Sequence, residues 1–140
     1  MGLFLKDIQG FIKTTELKTH KIVREITEDT VASLVDLSPV DTGNFVTNWL
    51  IGKDENIPWG VTGTKNSNGN EAKNYTINKI IAQIPVNAAS HNYNIVNNTK
   101  YANKLETGEG MKTPAYAMVG ITKLRLPGIV RRVLNKYGAL

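Results

Sequence analysis

Between Ile8 and Leu34, apolar or small residues recur at steps of three and four: Ile8, Phe11, Ile12, Thr15, Thr19, Ile22, Val23, Ile26, Thr30 and Leu34. That is the period of one face of an α-helix, and it predicts a long amphipathic helix around which the rest of the chain must be arranged. Charges at Lys13, Lys18, Lys21, Arg24, Glu25 and Glu28 fall mostly on other faces. Gly10 weakens the beginning by about 1 kcal/mol relative to alanine, so regular helix is expected to start after it. Pro39 disfavours helical geometry at Ser38, which stops the helix by Leu37.

Beyond it, Ser38-Pro39-Val40-Asp41-Thr42-Gly43 reads as a defined turn, with a fixed proline angle, two side chains that bond nearby amides, and a glycine that accepts positive φ. Phe45–Ile51 and Ile57–Thr62 are strand-like, and Trp49 and Ile51 share a face. Lys65–Asn70 contains no apolar residue and is expected to be an exposed loop. Helical spacing returns from Glu71 to Ile84 and is closed by Pro85. Tyr93–Asn97 alternates as a short strand, and Lys100–Thr107 predicts a short helix that stops at Gly108. Leu126, Ile129, Val130, Val133, Leu134 and Tyr137 share a helical face, whereas Ala117, Ile121 and Leu124 define another. Helix on both sides of Pro127, broken or kinked there, is the preferred reading, with a strand over Tyr116–Thr122 as the alternative.

Helices and strands that do not alternate regularly predict an α+β domain over residues 1–140: a long N-terminal helix, a small mostly antiparallel sheet, and C-terminal helices packed on it. With 140 residues, one core is expected. The absence of cysteine excludes disulfides, thiolate metal sites and a catalytic thiol. No apolar run approaches the roughly 20 residues needed to cross a bilayer. The Met1–Asp7 stretch is too short and too charged for a signal peptide, and Lys6 breaks the myristoylation pattern, so a soluble protein of the cytoplasm is expected.

The residues that chemistry would need are scattered. His20 and His91 have no companions at metal-ligand spacing. Ser90 and His91 are adjacent, which points their side chains apart, and neither sits in a nucleophile elbow. Glu25, Glu28 and Asp29 lie on a helix's charged side, and Glu106 and Glu109 lie beside a turn. Glycines 60, 63, 108 and 110 form no phosphate loop. Neither a catalytic site nor a cofactor is expected. Charge distribution is more informative: of the net +5, six cations (Lys112, Lys123, Arg125, Arg131, Arg132, Lys136) and no acids follow Met111, while the first 110 residues hold 11 basic and 12 acidic side chains. Lys123, Arg125, Arg131, Arg132 and Lys136 are therefore candidate contacts for DNA or an acidic partner, and a small basic nucleic-acid-binding module is the alternative function.

Three blocks carry a resemblance. Ser38-Pro39-Val40-Asp41-Thr42-Gly43-Asn44-Phe45 followed by Asn48-Trp49, after a long helix, resembles the turn-and-strand entry of the bacteriophage neck and tail-completion family, the lambda-type minor tail protein Z group. Tyr93–Asn98 followed by Tyr101-Ala102-Asn103-Lys104-Leu105-Glu106-Thr107-Gly108 resembles that family's apolar strand and Tyr-Ala-x-x-Leu-Glu-x-Gly helix end. Thr113–Val119 is similar to the start of its final helix, with Tyr116 and Pro127 as departures. The resemblance implies a virion protein of the head–tail junction, made in the host cytoplasm, without catalysis. It would form a homo-oligomeric ring that contacts portal or adaptor, other neck and tail proteins and, through the basic helix, packaged DNA. It also implies structural roles: Pro39, Asp41, Thr42 and Gly43 fix the turn, Trp49 anchors sheet to helices, Tyr101 belongs to the second block, and Glu106 and Gly108 end the short helix.

Overall fold

In the computed structural model, which describes residues 2–40, 43–61 and 69–139, the predicted N-terminal helix is the dominant element. Helix α1 runs from Gly2 to Leu37, 36 residues, about 54 Å at 1.5 Å per residue. Gly10 does not delay its start: a glycine costs about 1 kcal/mol in a helix, too little to outweigh good helix formers on both sides. Thr14, Thr15 and Thr19 bond back to carbonyls four residues earlier. At the far end the Ser38 hydroxyl donates to the Leu34 carbonyl (2.7 Å), and Lys73 Nζ donates to the Asp36 carbonyl (2.7 Å), serving carbonyls that the ending helix leaves open.

A short 3₁₀ turn, Val46–Asn48, leads into strand β1, Trp49–Lys53. The strand is thus shorter than its pattern suggested, because Thr47 and Asn48 turn their side chains back to Gly43 and Asn44 carbonyls. Helix α2, Gly69–Ile81, includes Gly69 and Asn70, which sequence assigned to a loop; Lys65–Asn68 lie outside the described residues. Strand β2, Tyr93–Asn97, pairs antiparallel with β1 in the register Trp49↔Asn97 to Lys53↔Tyr93, and the two make the whole sheet among the described residues. The strand expected over Ile57–Thr62 does not form across residues 57–61. Ile57, Trp59 and Val61 are exposed, Pro58 lacks a donor, and no strand among the described residues pairs with them; Thr62 is outside the described residues.

Helix α3, Ala102–Thr107, ends at Gly108 with φ 75°. Helix α4, Met118–Lys136, is continuous through Pro127, and the alternative strand over Tyr116–Thr122 is absent. Proline removes one backbone bond, that to the Lys123 carbonyl. Residues 123–128 are all exposed, so that carbonyl lies on a solvent-facing stretch of the helix. Helix α4 runs antiparallel beside the second half of α1: Met118 meets Ser38, Thr122 meets Ser33, Arg132 meets Asp29, and Lys136 meets Glu25. The core gathers Val31, Leu34 and Val35 of α1, Phe45, Val46, Trp49, Ile51, Ile80 of α2 and Met118 of α4. The α+β architecture, long helix, antiparallel pair and packed C-terminal helices agree with the sequence-based expectation.

Candidate assembly surfaces

The residues that carry the family resemblance converge on one place, where α1 ends and α4 begins. Trp49 is buried, and its indole N–H donates to Ser38 Oγ (2.8 Å), tying β1 to the end of α1. Phe45 stacks edge-on against Trp49 and tilted against Tyr101, each at 6.0 Å between centroids. Asn44 Nδ2 donates to the Tyr101 hydroxyl. Gly43 has φ 87°, and its carbonyl accepts from the Thr47 hydroxyl. Pro39 directly follows the buried Ser38; Asp41 and Thr42 lie outside the described residues.

Glu106 acts differently from its expected part in ending α3. Its two carboxylate oxygens accept the amides of Val119 (2.8 Å) and Gly120 (3.0 Å), so it caps α4. The cap residue of α4 itself is Ala117, in the left-handed region at φ 47°, and alanine has no acceptor to offer. A carboxylate borrowed from α3 serves the open amides and meets the positive end of the helix. Gly108 makes the geometry possible: besides its positive φ, a Cβ there would stand 3.0 Å from the Ala115 nitrogen.

Both histidines are engaged by neighbouring groups. His20 Nδ1 accepts the Ala89 amide (3.1 Å). His91 Nδ1 lies 2.7 Å from Asp54 Oδ2, and that contact, with the Asn92 amide, pulls the Asp54 carboxyl below its usual range. Among the described residues no three metal-ligating side chains gather, and no helix is long and apolar enough to cross a membrane. Arg24, read in the sequence only as a charge off the apolar face, donates to the Ile84 (2.7 Å) and Ile81 (3.3 Å) carbonyls and so serves the end of α2. Lys79 reaches the Thr47 carbonyl (2.6 Å), and burial lowers its pKa.

The basic face of α4 is largely spoken for. Arg132 pairs with Asp29 (3.0 Å), and Lys136 pairs with Glu25 (2.5 Å), which also accepts from the Tyr137 hydroxyl (2.9 Å). The Lys136 hydrogen bond leads in holding Glu25 below the usual carboxylate range, and in turn Lys136 and Tyr137 are both raised. Arg125 donates to Ser33 Oγ (3.1 Å), which also contacts Thr122 Oγ1. Of the five candidate cations, only Lys123 and Arg131 have no partner among the described residues.

What stands unpaired is apolar. Residues 5–17 of α1 are exposed throughout, including Leu5, Ile8, Ile12 and Phe11, the last 73 % exposed. On the outer side of α4, Leu126, Pro127, Val130 and Leu134 line an open groove of about 530 Å³ together with Lys123 and Arg131. Trp59 is 89 % exposed between Ile57 and Val61. The helical spacing of the first stripe was legible in sequence, but that no described residue covers it was not. Comparison with family models, with curated proteins and with solved structures found no match.

Proposed function

We propose that this chain is a non-enzymatic structural protein of a tailed-bacteriophage virion, a neck or tail-completion subunit that joins head to tail as a member of a homo-oligomeric ring. The observation that carries the proposal is the unpartnered half of α1. A rigid helix that holds Leu5, Ile8, Phe11 and Ile12 in water is built for assembly, because exposed apolar area of this kind is stabilised only by a partner. Support also comes from the resemblance blocks: Trp49 bonds to Ser38, Phe45 packs on Tyr101, and Glu106 caps the helix opened by Met118. Portal or adaptor, other neck proteins and tail proteins are the partners in this reading.

A nonsense mutation in the gene tests the function. Filled heads and separate tails, unjoined in electron micrographs and rescued by the chain supplied in trans, are expected. Joined, infectious particles without the chain would refute it.

A further inference from the structure

We infer that the exposed half of α1 from one copy of this chain seats in the α4 groove of the next copy, a head-to-tail contact repeated around the assembly. The inference deepens the ring proposed above and rests on it only for the closure of the ring.

At 100° per residue, Ile8, Phe11, Ile12 and Thr15 fall within an arc of about 100°. Asp7 and Glu16 border that arc on its two sides, and Lys6 and Lys13 lie on the opposite side. Lys18 borders it further on, where α1 reaches the body and lines a crevice with Tyr137. Neither Asp7 nor Glu16 has an ion-pair partner among the described residues. The α4 groove carries the opposite charge: Leu126, Val130 and Leu134 line it together with the unpaired cations Lys123 and Arg131. An apolar stripe bordered by two free acids thus meets an apolar groove that carries two free cations, complementary in polarity and in sign of charge.

The chain cannot satisfy itself. Helix α1 is unbroken from Gly2 to Leu37, and α4 ends beside Glu25, so the first half of α1 projects past the end of its own α4 and cannot turn back to the groove. Pairing two free helices with each other would leave the groove bare. Docking helix into groove covers both surfaces, and each chain then takes part in two contacts. Different patches meet in this contact, so it is heterologous, the type from which closed rings are built.

The absence of cysteine makes the test direct. Full-length chains carrying Ile12→Cys are mixed with full-length chains carrying Val130→Cys over a range of concentrations and treated with a short bis-maleimide linker. The expected product is a 12–130 linked dimer whose yield is lost with Lys123→Glu/Arg131→Glu in the groove-bearing chain. Yield is regained when the Ile12→Cys chain also carries Asp7→Lys and Glu16→Lys. Predominant 12–12 product would show helix paired with helix and overturn the inference, as would no product at any concentration. Absence of the chain from virions would defeat the proposed function but leave the 12–130 product intact, so the two failures are distinguishable.

Discussion

At Gly108 the backbone sits at φ 75°, and a Cβ would press on the Ala115 nitrogen at 3.0 Å. Gly108→Ala is expected to cost about 1–3 kcal/mol, read from urea denaturation; an unchanged midpoint would mean that the α3–α4 connection relaxes freely. Glu106→Ala removes the borrowed cap of α4 and is expected to cost about 0.5–2 kcal/mol, with Glu106→Gln between it and the parent. Ser38 accepts from Trp49 and donates to Leu34 while almost wholly buried. Ser38→Ala leaves the indole N–H without a partner, and about 1–3 kcal/mol should be lost, checked by thermal unfolding. The end of α3 at Gly108 was legible, because a glycine after a short apolar period has a local meaning. The use of Glu106 was not: it depends on Ala117, eleven positions later, lacking an acceptor where a helix begins, and sequence does not say which two segments meet.

Helix α1 has two halves with the same spacing and opposite environments, so matched substitutions in it should behave differently. Leu34→Ala, in the core, is expected to cost about 2–5 kcal/mol. Phe11→Ser and Ile12→Ser in the exposed half should change monomer stability by no more than about 0.5 kcal/mol; calorimetry of each variant decides, and equal losses would mean that the first half is covered within the chain. The α1–α4 seam adds a pH dependence. Glu25 binds its proton less tightly in the folded chain, so the unfolded chain takes up more protons in acid. Its pairing with Lys136 therefore stabilises above the ordinary carboxylate pKa and is lost as pH falls through the lowered value. Glu25→Gln should flatten the acid limb of the stability profile. The period of α1, the limits of β2 and the stop before Pro39 were readable because local spacing determines them. Residues 57–61 were misread because alternation describes a strand only when a neighbour pairs with it.

For the whole molecule, the contrast is between a closed seam and open apolar faces. Clustered cations after Met111 suggested a DNA surface, yet Arg125, Arg132 and Lys136 point their charge at α1. If α4 of the unassembled chain meets duplex DNA through Lys123 and Arg131 alone, two phosphate contacts give a log–log salt slope of about −2; a slope several times steeper would revive the nucleic-acid module. The α+β class followed from the order of periodic segments, whereas the division of charged residues between seam and surface is set by tertiary packing. The proposed function rests on assembly, and its most direct measurement is the stoichiometry of this chain in purified virions, by quantitative mass spectrometry against the portal protein. A small fixed ratio to portal is the predicted result, and absence from the virion would contradict the account.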